Sequence, residues 1–156
     1  MSRPHFLDPA LQASGASGLR IGRSGTWLAT NAEVAGSSSA RRQGLLGQDT
    51  LAAGHALVIA PTQGVHTFGM RFAIDIVGVG RDGTVVSIRR AVPRRRIVFS
   101  LRAFAIVELV AGATDQAGLV VGDRLEVVTD PAVLRQLSCP RQFFGQREQP
   151  PGGATN

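Results

Sequence analysis

Apolar residues in this chain fall into short blocks broken by Gly, Pro, Asp and Ser. Residues 56–60 form one such block, closed by Pro61, and after a turn made by Thr62, Gln63 and Gly64 the pattern resumes over 65–70. Residues 72–79 read as a strand, Asp82-Gly83 as a tight turn, and residues 84–88 as the returning partner, a strong hairpin signal. Residues 103–110, rich in β-branched and apolar side chains, make a further strand, and Gly122-Asp123 leads into another over 124–128. Residues 26–29 and 33–34 fit two short strands.

Helical signals are brief. Ser37, Ser38 and Ser39 offer caps for a helix over 40–46, with Gly47 as its stop, and residues 113–117 suit one turn. Asp130 before Pro131 predicts a last helix to about Leu137. Short strands at close spacing without a βαβ rhythm predict a mainly β fold with short helices, a compact antiparallel single domain, barrel-like or sandwich-like. The expected limits are a flexible segment over 1–25, the domain over 26–137 and a C-terminal tail over 138–156, where Phe143 and Phe144 are unusual for a segment left in water.

Composition narrows this picture. A chain of 156 residues is one domain's worth, and with 44% apolar but only 5% aromatic residues its core has to be built from Val, Ile, Leu and Ala. The net charge of +6 comes from 17 basic residues, all arginine. Residues 81–102 hold seven of them (Arg81, Arg89, Arg90, Arg94, Arg95, Arg96 and Arg102) against the single acid Asp82, so this segment carries the imbalance. Cys139 is the only cysteine, which excludes an internal disulfide framework and suits a reducing compartment. With no apolar run of signal-peptide or membrane-span length, the expected location is cytoplasmic, with no membrane partner.

Two motifs compete for attention. Gly78-Val79-Gly80-Arg81-Asp82-Gly83 matches the dinucleotide fingerprint, but that motif works by leading into a helix N-terminus, and here the strand 84–88 follows. The stretch from His66 to Asp75 is chemically richer. In an extended chain Arg71 and Asp75 share a face, so they are read as a structural ion pair, or Asp75 as an acceptor of backbone N–H groups at a sheet corner. The functional alternative is a pocket lined by His66, Phe68, Met70, Arg71 and Asp75. Imidazole titrates near neutrality, but no second His, Cys or carboxylate stands at ligand spacing, so neither metal nor cofactor is expected. Arg89, Arg90, Arg94, Arg95 and Arg96 form a weaker candidate for anion binding; without interleaved aromatics they read as a solvated loop around Pro93.

Taken in order, Arg42-x-Gly44-Leu45-Leu46, then His66-Thr67-Phe68-Gly69-Met70-Arg71-Phe72-x-Ile74-Asp75, then Asp82-Gly83-x-Val85-Val86, then Val107-Glu108-Leu109-x-Ala111-Gly112 and Gly122-Asp123 resemble the family called domain of unknown function 192. The agreement runs over about 34–128. Where that family has a Gly-Leu-Met-Phe-Arg run, this chain has Gly44-Leu45-Leu46-Gly47-Gln48; Ala73 replaces a usual Pro and Gly69 a frequent Trp. The resemblance implies a small, mainly antiparallel, barrel-like β domain and no established activity.

The reading that results is a non-catalytic binding or accessory module whose groove along His66 to Asp75 accepts a small ligand or a protein partner. An enzyme using His66 and Asp75 as acid and base is the alternative, and it requires both side chains to converge on one substrate atom. Anion or nucleic-acid binding through Arg89 to Arg96 is the third; nucleic acid is not an expected partner.

Overall fold

The computed structural model describes residues 4–13, 17–130 and 132–134, with the side chains of 41–43 excepted. Its strands are β1 (Ser17–Ile21), β2 (Trp27–Ala35), β3 (His55–Ile59), β4 (Gly64–His66), β5 (Ile74–Val79), β6 (Val85–Val92), β7 (Ile97–Phe99), β8 (Ala105–Val110) and β9 (Leu125–Val128). Among the described residues three short helices are α1 (Asp8–Gln12), α2 (Ser38–Gln43) and α3 (Ala113–Gln116), and residues 132–134 belong to a fourth. Seven strands form one sheet in the order β6-β5-β8-β3-β2-β1-β9, while β4 and β7 form a separate two-stranded flap.

The mainly β class expected from the sequence holds, and the large sheet curls toward a barrel. Its two edge strands meet at one corner, where Thr84 bridges Arg124. There Val85 N–H donates to the Asp123 carbonyl and Leu125 N–H to the Gly83 carbonyl, both at 2.8 Å. One pair departs from the antiparallel expectation: β2 runs parallel to β3. A parallel neighbour needs a long crossover rather than a hairpin, and the segment carrying α2 supplies it. Ser37 caps α2 through Ala40 N–H at 3.1 Å, so the helix starts two residues ahead of the expected 40 and ends at Gly44.

Each face of the sheet buries its own core. One, on the concave side, gathers Leu7, Leu19, Ile21, Val58, Val77, Val79, Val107, Leu109 and Leu125. The other gathers Leu45, Leu51, Leu57, Ile59, Met70, Ile74, Ile76 and Ile106, and the flap packs on it through Val65 and Val98. Strands β5 and β8, buried almost throughout, therefore read in sequence as apolar runs each interrupted by one acid, rather than as alternation.

The N-terminal limit of 26 needs correction. β1 lies between β2 and β9 in the sheet, and Leu7, Leu19 and Ile21 are almost wholly buried. The strand was hard to see because Ser17, Gly18 and Arg20 dilute its two apolar positions. Gly18 itself is required by packing: a Cβ there would meet the Trp27 ring at 2.7 Å. Of the expected final helix, residues 132–134 are helical; its remainder, Cys139 and the aromatic pair Phe143 and Phe144 lie outside the described residues.

The glycine fingerprint proves to be hairpin geometry. A side chain at Gly78 would come within 2.4 Å of the hydroxyls of Ser87 and Ser100, which bond each other at 2.8 Å. Gly83 takes φ +91 in the turn after β5, which only glycine adopts without strain. Because β1 is an inner strand, Leu19→Ala is expected to cost about 3 kcal/mol in urea unfolding, whereas a loose N-terminal segment would give a change near zero.

Candidate functional site

The segment singled out by the sequence is two structures joined at a turn. β4 ends at His66, and Thr67 to Ala73 leave extended pairing, with Gly69 at φ +79 and Met70 N–H reaching the Thr67 carbonyl at 3.4 Å. β5 starts only at Ile74. The alternation that set Arg71 and Asp75 on one face of a strand therefore does not apply, and the two side chains are not paired.

Arg71 instead meets Asp49, with both side chains at least 70% exposed. Asp75 is wholly buried. Its Oδ1 accepts Ala91 N–H at 2.8 Å, and its Oδ2 accepts Gly112 N–H at 3.1 Å, Thr114 N–H at 3.0 Å and the Thr114 hydroxyl at 2.6 Å. Burial pushes this carboxyl up, but the Thr114 hydroxyl and the three backbone donors outweigh it and leave it below its ordinary value. Asp75 is thus the backbone-binding corner residue, and the acid–base pair with His66 fails: its oxygens are engaged on the concave side, away from the flap.

Thr67, which the sequence reading passed over, fastens the turn. Its hydroxyl donates to the Pro93 carbonyl at 2.7 Å and accepts Arg96 N–H at 2.9 Å, while its own N–H and carbonyl bond the Arg96 carbonyl and Arg95 N–H. The turn bearing Arg94 to Arg96 is thereby held against the turn bearing Phe68. Of the arginines proposed for anions, Arg90 pairs with Asp115, Arg89 lies opposite Ile76 on β6, and Arg94, Arg95 and Arg96 are exposed. Two aromatic side chains are exposed near this turn: Phe99, which follows it in sequence, and Phe68, on the turn that Thr67 fastens to it, are 67% and 47% exposed.

Between the flap, the α2 turn and the large sheet lies a cavity of about 590 Å³. Leu45, Leu46, Ile59, Val65 and Met70 supply its apolar wall, His66, Ser38 and Thr62 its polar positions, and Glu108 a carboxylate. The sequence candidates His66 and Met70 thus line one space; Phe68, Arg71 and Asp75 are not among its described lining residues. A neighbouring cavity of about 240 Å³ shares Gly44 and Leu45 and contains Glu33. Both lie on the same side, since Glu33, Leu57, Glu108 and Ile76 stand in one row across β2, β3, β8 and β5.

Glu108 is the residue that sequence reasoning missed. It is 2% exposed, and its Oε2 has no hydrogen-bond partner among the described residues. Burial without such a partner pushes its carboxyl up from 4.5 to about 7. The signal was present: Glu108 is the sole charge in Ala105–Val110, and an acid inside a doubly buried strand demands either a partner or a task. Among the described residues no group of three His, Cys, Asp or Glu side chains is placed to hold a metal.

The family model for domain of unknown function 192, described as an uncharacterised ACR, matches residues 19–127, more than half of the chain. The chain belongs to that family. Two solved structures are similar to this family member. One, described as a candidate transcription regulator from Sinorhizobium meliloti, is 24% identical with a TM-score of 0.63, over 71% of this chain and 91% of that one. The other, a protein of unknown function from Novosphingobium aromaticivorans, is 18% identical with a TM-score of 0.62, over 71% and 83%. At these identities the likeness establishes the fold. None of the curated proteins matches.

Two predictions separate scaffold from site. Asp75→Ala strips the acceptor from three backbone donors, that of Thr114 buried, and is expected to cost on the order of 3 kcal/mol, while Arg71→Ala, removing an exposed pair, changes stability by less than about 1 kcal/mol; paired urea titrations check this. Glu108 holds its proton more tightly folded than unfolded, so it makes stability fall as pH rises from 4.5 to about 7 and leaves it flat above. The decline is of the order of 3 kcal/mol. Asp75 acts in the opposite sense and only near and below pH 3.8. Glu108→Gln is expected to abolish the fall between pH 5 and 7, and an unchanged slope in that variant contradicts the assignment.

Proposed function

We propose that this protein is a non-catalytic binding module whose cavity, beneath the flap, takes a small amphiphilic molecule with its hydrogen-bond donor against Glu108. The observation that carries the reading is the Oε2 of a side chain only 2% exposed that has no hydrogen-bond partner among the described residues and lines a cavity of ligand size. A buried carboxyl left without a donor is costly, and a ligand donor removes that cost on binding. The apolar body of the ligand would rest on Leu45, Ile59, Val65 and Met70.

This keeps the expected binding role but moves its centre from the linear stretch His66 to Asp75 to the space between His66, Met70 and Glu108. Catalysis is disfavoured because Glu108 and His66 are the only titratable side chains among the described lining residues, and Asp75 is occupied with backbone. A half-open pocket of this volume suits a small molecule better than a partner peptide. A cytoplasmic setting remains our reading of the lone Cys139; no helix among the described residues is long and apolar enough to cross a membrane.

Hexylammonium and hexanol serve as probes. In methyl NMR they should shift Leu45, Ile59, Val65 and Met70 in the wild type and bind at least about tenfold more weakly to Glu108→Leu, an apolar replacement expected to fold because it removes a buried carboxyl without a donor, as expected for a lost buried donor–acceptor pair. If neither probe moves these methyls, the cavity is not a binding site.

A further inference from the structure

The outer side of the flap carries a second feature, which meets the rim of the cavity only at His66. Ile97 and Phe99 are 59% and 67% exposed, and Leu101, in the turn that follows β7, is 77% exposed. In a strand, residues two apart share a face, so Ile97 and Phe99 stand on the side away from Val98, which packs on the core. Phe68 extends the ridge: its ring lies 5.8 Å from that of His66, which pairs with Ile97 across the flap. Large apolar side chains exposed together are the mark of an interaction surface.

The charge around this ridge says what kind of surface it meets. Arg94, Arg95 and Arg96 precede Ile97, Arg102 follows Leu101, and no acid occurs anywhere from 83 to 107. None of these four arginines enters a salt bridge among the described residues. The Arg94 to Arg96 turn is also held in place by Thr67, so the guanidinium groups start from a fixed backbone. An apolar centre with basic groups at both ends matches the boundary of an anionic bilayer, where arginines reach the phosphates and apolar side chains sit among the upper acyl chains. Phe68 and Phe99 offer planes on which bases could stack, but the exposed Ile97 and Leu101 beside them have no counterpart in a base-stacking platform and suit acyl chains better.

We infer that the ridge of Ile97, Phe99 and Leu101, with its arginine flanks, docks the protein on an anionic lipid surface. The sequence gives no hint of this because Phe68 lies some thirty positions from the others and because no apolar run is long enough to suggest a membrane.

Vesicle flotation with the full chain tests the inference, using phosphatidylcholine vesicles with and without phosphatidylglycerol. The wild type should float with the anionic vesicles only, and less so as salt is raised. Replacing Arg94, Arg95 and Arg96 together by Gln should weaken partitioning roughly a hundredfold, at about one kcal/mol per arginine. Ile97→Ser with Leu101→Ser, both exposed and so expected to leave the thermal midpoint unchanged, should weaken it at least about tenfold, from the apolar area lost. Glu108→Leu should float like the wild type, which separates this surface from the cavity. Equal flotation with neutral vesicles, no flotation at all, or an apolar double variant that floats undiminished overturns the inference. So does tighter binding to a single-stranded oligonucleotide than to anionic vesicles at the same salt.

Discussion

The fold hangs on one buried carboxylate. Asp75 sits at the start of β5 and gathers donors from the end of β6 and from the junction of β8 with α3. These elements would otherwise bury N–H groups with nothing to accept them, because the corner where three strands diverge cannot continue the ladder. A charge is the efficient acceptor there, since a single carboxylate serves four donors at once and hydrogen bonds to an ion are the stronger kind. With that corner held, β5 and β8 run side by side under both cores.

One step away in the same ladder the arrangement reverses. Asp75 pairs with Leu109 and Glu108 with Ile76, so the two acids are neighbours in register yet face opposite sides of the sheet. One is saturated with donors and anchors the concave side. The other faces the cavity under the flap with an oxygen unmatched. Strand alternation thus places a structural acid and an uncompensated acid almost back to back, and only the sheet's own thickness keeps their roles separate.

Much of the sheet was legible from the linear pattern, because β3, β5, β8 and β9 are short, mostly apolar blocks near Gly, Pro or Asp; β6 was legible only to 88, since Arg89 and Arg90 hide its continuation to Val92. The hairpin turn at Asp82-Gly83 lies where the pattern put it. What escaped were features that depend on partners distant in sequence. β1 shows only two apolar residues, and its strand character comes from β2 and β9 on either side. The parallel β2–β3 pair leaves no local trace, since direction is set by the crossover. At the site, His66 and Met70 were found by their chemistry, whereas Arg71 and Asp75 were joined by an alternation that Gly69 interrupts. Glu108 was visible as a charge among apolar residues but was passed over in favour of a denser cluster of polar ones.

The order of strands also has a consequence in time. β1 takes β2 as one neighbour, close in sequence, but its other neighbour is β9, with Gly18 opposite Val128. Emerging from the ribosome, the chain exposes the outer edge of β1 until almost the whole domain has been synthesised, and the pairing that covers it closes a loop of more than a hundred residues. Contacts of such separation are slow to form, and an open edge is where chains pair wrongly with one another. Arg20, next to the last residue of β1 and bonded to Glu126 of β9 in the finished sheet, puts a charge on that edge during the wait.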